Sequence, residues 1–200
     1  MRNIKLLLEY DGTEYSGWQR QERDRTIQGV LEDAAFRLLQ EKVNIIGAGR
    51  TDAGVHATGQ VANFRCGTQL SLVDIGRGLN ALLPEDIIVR STEDVSEDFH
   101  ARFGARERTY SYTITRTPTA IMRRYRWHVS YELEIDGMRW PPPLFLERTI
   151  LLRFASRLRR STMSAAMSVP RSGKKQVQCS GSPFERTGSC TGWSVRWSEQ

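Results

Sequence analysis

The spacing of hydrophobic residues in the first hundred positions follows two periods, and each period predicts a different element. A short apolar, β-prone run at residues 4–10 ends at an Asp-Gly turn signal and predicts a strand. Thr26 is suited to cap a helix N-terminus. The apolar residues after it recur at i, i+3, i+4 and i+7, which predicts an amphipathic helix: Ile27, Val30, Leu31, Ala34, Ala35, Leu38 and Leu39.

The next segment repeats this alternation of strands and a helix. Residues 43–46 and 60–66 are predicted strands on either side of a glycine-rich loop, and residues 87–90 form another. A second helix before Pro84 is predicted from Leu72, Ile75, Leu79, Leu82 and Leu83. The order βαββαβ is that of a ferredoxin-like unit, in which two helices cover one face of an antiparallel sheet. Its other face is free and could bind RNA.

Two further β-like segments follow this unit, at residues 108–116 and 126–134. They could extend the sheet. The predicted fold class is therefore α+β: a ferredoxin-like βαββαβ unit with an antiparallel sheet, followed by an incomplete second α+β domain. We place the first domain at residues 1–104, the start of the second at 105–138, and an aberrant, disordered tail at 139–200.

Composition narrows the class of protein but does not identify it. With no apolar run near the roughly 18 to 20 residues of a membrane helix, and no apolar leader, we expect a cytoplasmic protein. Three cysteines without paired spacing predict neither a disulfide framework nor a zinc site. The net charge is −1 for residues 1–140 and +7 for residues 141–200, so the overall +6 is no argument for nucleic-acid binding.

The densest group of reactive residues is the loop GRTDAGVHA at residues 49–57. If the chain is extended there, Arg50 and Asp52 project to the same side. The guanidinium would then keep the carboxylate ionised, and an ionised carboxylate can act as a nucleophile. The alternative is that Asp52 caps a turn and pairs with Arg50 at the surface.

Other residues near this motif also have two interpretations. His56 could transfer protons, but a lone histidine more often orients a neighbour through a hydrogen bond, so we do not count it as catalytic. Tyr110 could stack on a nucleobase or simply pack across strands on Tyr112. The polar, aromatic loop at residues 10–21 suits RNA contact but also a buried turn.

Taken together, the motifs resemble the tRNA pseudouridine synthase A family over roughly residues 2–138. The matching segments, in family order, are YDGTEYSGWQRQ at 10–21, TIQ at 26–28, GRTDAGVHA at 49–57, LNALLP at 79–84, FHARF at 99–103 and RTYSY at 108–112. The resemblance implies that Asp52 is the catalytic nucleophile. It also implies that Arg50 pairs with Asp52 and helps to hold the target nucleotide, and that Tyr110 packs on the target base.

The same resemblance implies the reaction and the substrate. Uridine becomes pseudouridine in the anticodon stem and loop of tRNA, at nucleotides 38 to 40, after base flipping exposes each target. The family works without a metal or cofactor and as a homodimer. Two rival hypotheses remain: an RNA-binding module without turnover, and a hydrolase using Asp52, which would normally need a second carboxylate and release free uracil.

The resemblance ends near Arg139. The family's Gly-x-His-Asp-Phe and Gly-Phe-Leu-Tyr segments are absent from residues 140–200. Suitable codons for residues 147–151 and 187–200, read in one shifted frame, spell both segments. We therefore hypothesise a net single-base frameshift between about Arg139 and Glu147, in the gene or its sequencing. The shift would remove one wall of the pocket, which makes turnover by this chain doubtful.

Overall fold

A computed structural model gives the fold of residues 1–131, 176–179 and 191–198; for 107–112 and the last two ranges it describes the backbone only. The chain divides into two compact units, Met1–Ala105 and Arg106–Gln200. The predicted limits at residues 138 and 139 lie outside the described residues. No helix in the described ranges has the length and apolar character needed to cross a membrane.

The first unit has the predicted βαββαβ order. Its elements are β1 (Arg2–Tyr10), α1 (Ile27–Leu39), β2 (Ile46–Gly47), β3 (Ala57–Cys66), α2 (Leu72–Leu82) and β4 (Ile87–Val95). The sheet order is β2-β3-β1-β4, and every neighbouring pair is antiparallel. This is the arrangement of the ferredoxin-like split βαβ unit, so the predicted fold class is confirmed for this unit.

Local capping fixes both helices where the sequence predicts them. The Thr26 side chain accepts a hydrogen bond from the Gly29 N–H, so it caps α1 as expected. Helix α1 ends at Gln40, whose left-handed backbone (φ 54°) lets its N–H bond the Phe36 carbonyl. Ser71 caps α2, and Pro84 follows its C-terminus. These ends set which residues face the sheet.

One face of the sheet is buried against the two helices. Alternate residues of β1 contribute Ile4, Leu6 and Leu8, each fully buried, and Phe64 on β3 is 1% exposed. From the helices, Ile27, Leu31, Ile75 and Leu79 pack into the same cluster. Because strand side chains alternate between faces, this core fixes the register of β1 against β3 and β4.

Two predicted strands are shorter than expected. The strand predicted at residues 43–46 is limited to Ile46–Gly47, because the Ile45 N–H bonds the Glu32 carboxylate of α1 instead of β3. The described part of the segment at 126–134 contains β6 (Trp127–His128), which pairs in parallel with the C-terminal end of β5 (Glu107–Thr115). Residues 132–134 lie outside the described residues. In both cases the apolar pattern was correct but backbone pairing is shorter.

The sheet face away from the helices carries charged side chains, most of which contact neighbouring strands. Lys5 on this face forms an ion pair with Glu93 (Nζ–Oε2 3.0 Å), and Arg90 pairs with Glu9. The segment after β4 is bonded to the buried Asn3 amide, whose Nδ2 donates to the carbonyls of Ser96 and Phe99. Two cations of this face are therefore paired with carboxylates, while Arg65 on the same face donates to the Glu97 carbonyl. RNA contact at this face stays a prediction.

We expect Asn63→Ala to lower the free energy of unfolding by about 1 to 2 kcal/mol, because buried polar groups would lose their partners. Asn63 is 3% exposed; its Nδ2 donates to Asn3 Oδ1 (2.9 Å), and its Oδ1 accepts from the Ala101 N–H (2.9 Å). Urea unfolding measures the loss. The control is Asn80→Ala, which removes two hydrogen bonds between the exposed Asn80 side chain on α2 and the Val89 backbone. Equal losses of unfolding free energy in the two variants would contradict the prediction.

The second unit contains a four-stranded sheet in the order β6-β5-β8-β7. Strand β7 is Gln176–Cys179 and β8 is Thr191–Ser198. Residues 107–114 of β5 pair with β8 in antiparallel register. Both β7 and β8 fall in the segment 139–200, for which the disordered tail stays a prediction. The rest of the predicted tail lies outside the described residues.

Candidate active site

The loop that carries Asp52 connects β2 to β3 and contains a tight turn. The Val55 N–H donates to the Asp52 carbonyl (3.2 Å), and Gly54 between them has φ +77°, a conformation that glycine adopts without strain. Asp52 begins this turn with a half-buried side chain, while Arg50 is exposed. The turn therefore holds the carboxylate at a defined position next to solvent.

A second loop, at residues 11–18, packs along the Asp52 loop and fixes it through backbone contacts. The Trp18 N–H donates to the Thr51 carbonyl (2.9 Å), and the Gly54 N–H donates to the Tyr15 carbonyl (3.2 Å). Gly17 (φ +89°) lies so close that an added Cβ would be 2.6 Å from the Thr51 oxygen. Two of the motifs that carry the family resemblance, at residues 10–21 and 49–57, thus pack against each other.

Side chains from strands of the sheet also form hydrogen bonds to the Asp52 loop. The Tyr10 hydroxyl is 2.9 Å from the Thr51 hydroxyl, and Gln60 Nε2 donates to the Gly49 carbonyl (2.6 Å). Trp18 is 2% exposed, and Gly47 leaves room for its indole ring: an added Cβ would be 2.6 Å from that ring. The Asp52 loop is therefore anchored before, at and after its central residues.

His56 joins the two loops. Its Nδ1 is 3.1 Å from the Gly12 N–H, from which it accepts, and 2.9 Å from Asp11 Oδ1, to which it would have to donate. One nitrogen cannot accept and donate in the same protonation state, so these contacts belong to different states of the ring. In either state His56 ties the end of the Asp52 loop to the 11–18 loop, which favours the orienting role over proton transfer.

Residues outside the motif support the 11–18 loop, and sequence patterns did not identify them. The Tyr15 hydroxyl donates to Asp86 Oδ1 (2.5 Å), and the Arg25 guanidinium lies 4.5 Å above the Tyr15 ring. Burial, followed by the contact with the Asp86 carboxylate, raises the pKa of Tyr15. Asp86 lies 71 positions from Tyr15, and no spacing rule relates them.

We expect the first unit to lose stability as the pH rises from about 10 to about 12. Burial raises the pKa of Tyr10 to about 12, from 10 in an unfolded chain. The folded state then binds this proton more tightly than the unfolded state, so the contribution of Tyr10 to stability is constant below about pH 10 and is lost as the pH rises towards 12. Urea unfolding at several pH values measures this slope. Tyr10→Phe should make the slope shallower, and an unchanged slope would contradict the assignment to Tyr10.

The structure leaves two of the predicted site contacts as predictions. The pairing of Arg50 with Asp52 stays a prediction. Tyr110 lies in β5, where its backbone pairs with Val195 of β8, but its side chain is outside the described residues. The packing of Tyr110 on a target base is therefore untested.

Comparison with known proteins agrees with these motifs. A family model described as tRNA pseudouridine synthase matches residues 7–104. The protein named tRNA pseudouridine synthase A from Acetivibrio thermocellus is 44% identical over 148 residues, which cover 73% of this chain and 61% of the relative. Those of the same name from Thermoanaerobacter sp. and Chlorobium luteolum are 46% and 49% identical, over 70% and 69% of this chain and 58% and 55% of theirs.

The chain spans about 60% of the length of these curated relatives, so the match concerns their shared part. The family model covers the first unit from Leu7 in β1 onward. It includes the other three strands of the sheet, both helices and the Asp52 loop. The motifs, the fold of the first unit and the comparisons point in the same direction. This chain belongs to the tRNA pseudouridine synthase A family.

Proposed function

We propose that this chain isomerises uridine to pseudouridine in tRNA, with Asp52 as the nucleophile. The observation that carries the proposal is the turn at Asp52, which presents a half-buried carboxyl group from a loop anchored on three sides. A nucleophile needs a fixed position and access to substrate, and this loop offers both. The turn-cap alternative accounts for the turn, but it gives no reason for so many anchors around one surface residue.

The proposed reaction exchanges two bonds within one nucleotide. The bond between N1 of uracil and C1′ of ribose breaks, the base rotates, and C5 bonds to C1′. The C5 proton leaves, and N1 gains a proton, so the net change is an isomerisation that needs no oxidant or reductant. Asp52 attacks either the sugar or the base, and it is released when the new carbon–carbon bond is complete.

Two further residues have proposed roles in holding the substrate. Arg50 is exposed at the start of the Asp52 loop, where its guanidinium can reach both the carboxylate and a nucleotide phosphate. In the substrate complex we assign it to pair with Asp52 and to keep the flipped nucleotide out of the stack. Tyr110 on β5 is assigned to pack on the target base. Both roles follow from the family's motif positions.

The substrate and assembly are part of the same proposal. We assign the anticodon arm of tRNA, with nucleotides 38 to 40 as targets, a homodimer as the working form, and a cytoplasmic location. The relatives' name, tRNA pseudouridine synthase A, supports tRNA as the partner. We expect RNA contact at the Asp52 loop, which holds the proposed nucleophile, and at the 11–18 loop packed along it.

The experiment is an assay of the full chain with an unmodified tRNA transcript carrying uridine at nucleotides 38 to 40. Mass spectrometry of the digested RNA measures pseudouridine, and chromatography measures free uracil. We expect pseudouridine at these positions, and none in a transcript with cytidine there. Release of free uracil would support the hydrolase hypothesis instead.

The alternative is an RNA-binding module without turnover. It is favoured by the absence, in residues 140–200, of the two family segments that complete the pocket. It predicts that the chain binds the transcript in a gel-shift assay but forms no product. In that case, sequencing the gene across codons 139–148 separates the two causes. A net one-base shift in the DNA means a damaged gene and explains the loss, while DNA in the family's frame means that the shift arose in sequencing.

A further inference from the structure

Thr51, the residue before Asp52, is held from two sides. Its carbonyl accepts the Trp18 N–H (2.9 Å), and its hydroxyl is 2.9 Å from the Tyr10 hydroxyl. The next carbonyl, that of Asp52, closes the turn to Val55. The Tyr10 contact is therefore a side-chain hydrogen bond to the residue next to the proposed nucleophile.

Tyr10 is well suited to act as a fixed point. It is the last residue of β1, the strand that lies between β3 and β4, and it is 2% exposed. Its ring packs near that of Trp18, with centroids 6.2 Å apart. A side chain buried in a central strand has few rotamers open to it, so its hydroxyl stays in one place relative to the sheet.

The chemistry of this hydroxyl excludes a role as a base at neutral pH. Burial raises the pKa of Tyr10 to about 12, so the group remains protonated. It faces the Thr51 hydroxyl, and either oxygen can donate in this pair. Its function in the folded chain is therefore that of a hydrogen-bond partner to the residue that precedes Asp52.

We propose that Tyr10 is a positioning residue that sets the location of Asp52 through its hydrogen bond to Thr51. The effect on the fold stands by itself, and the effect on catalysis rests on the proposed function. Without this bond the loop keeps its backbone contacts to Trp18 and Tyr15, so it remains folded but less restrained. Small displacements of a reacting group reduce rates strongly, by up to about 100-fold for 1 Å.

The test uses Tyr10→Phe, Thr51→Val and the double variant in the full chain. Hydrogen exchange of residues 49–57, followed by mass spectrometry, measures the restraint on the loop. Each single substitution should raise exchange in this loop at least about threefold and leave β1 unchanged. The double variant should equal the single variants, because both remove the same hydrogen bond. Thr51→Ser keeps the hydroxyl and should restore the wild-type exchange rate.

The matched control is Thr92→Val on β4, which removes a hydroxyl bonded to the Leu72 carbonyl (2.8 Å) far along the sheet from the loop. It should leave exchange at residues 49–57 unchanged. If Tyr10→Phe has no more effect there than Thr92→Val, the proposal is overturned. Additive effects of Tyr10→Phe and Thr51→Val would overturn it too, since they would show two independent contributions.

Turnover is measured in parallel and separates this proposal from the proposed function. We expect Tyr10→Phe to lower kcat for pseudouridine formation about 10- to 100-fold, with KM for tRNA within about twofold of wild type. A wild-type chain without turnover would contradict the proposed function, while the exchange data would still decide the positioning role. Faster hydrogen exchange at residues 49–57 together with an unchanged kcat would overturn the proposed effect of Tyr10 on catalysis.

Discussion

Asp52→Asn is expected to abolish pseudouridine formation, with kcat lower by about a thousandfold or more. The amide has nearly the shape of the carboxylate, so the turn closed by the Val55 N–H and the Asp52 carbonyl should persist. The amide lacks the charge and nucleophilicity needed to bond carbon. Binding of tRNA depends mainly on contacts to the backbone phosphates and should change by less than about threefold.

Two measurements make this result interpretable. Thermal unfolding and tRNA binding must match the wild type, so that the loss is assigned to chemistry. Asp33→Asn is the control, because Asp33 is an exposed carboxylate on α1 whose ion pair with Arg20 is at the surface. It should retain full turnover. Normal turnover by Asp52→Asn would refute the role of Asp52 and favour the turn-cap interpretation.

The sequence predicted the parts of the fold that depend on local patterns. The stripe of apolar residues from Ile27 to Leu39 and the cap at Thr26 defined α1 to the residue. Strand β2 was mispredicted because the segment 43–46 also fits a different arrangement, in which the Ile45 side chain is buried and its N–H donates to the Glu32 carboxylate. The spacing of apolar residues shows which side chains are buried, but not which backbone groups form hydrogen bonds with each other.

The candidate site shows the same division between local and distant information. Asp52 could be identified because the reactive residues of its loop are adjacent in sequence. The anchors Tyr10, Gln60 and Asp86 could not, because their contacts join segments that are distant in the chain and leave no spacing signal. Motif density therefore gives the candidate nucleophile, while the structure identifies the groups that hold its loop in place.

Gly12→Ala is expected to damage both the fold and the site, because the two loops of the site touch at this residue. A Cβ at Gly12 would lie 2.0 Å from the Val55 carbonyl oxygen, a backbone atom that cannot move aside by changing rotamer. The loops must separate, and the contact between the Gly12 N–H and His56 is lost with them. We expect the free energy of unfolding to fall by about 2 to 3 kcal/mol, as for overpacked cores.

For a unit of this size that loss corresponds to a fall in Tm of roughly 10 °C or more, which calorimetry of the full chain can measure. Gly59→Ala is the matched control, because its added Cβ would meet only Leu7 Cδ1 at 3.9 Å, an ordinary contact. It should leave stability unchanged or raise it by up to about 1 kcal/mol. If Gly12→Ala is as stable as Gly59→Ala, the close approach of the two loops is wrong. If it is destabilised but keeps full turnover at a permissive temperature, the site does not depend on this approach, and the position of Asp52 must be set by the contacts of its loop to Tyr10 on β1 and Gln60 on β3.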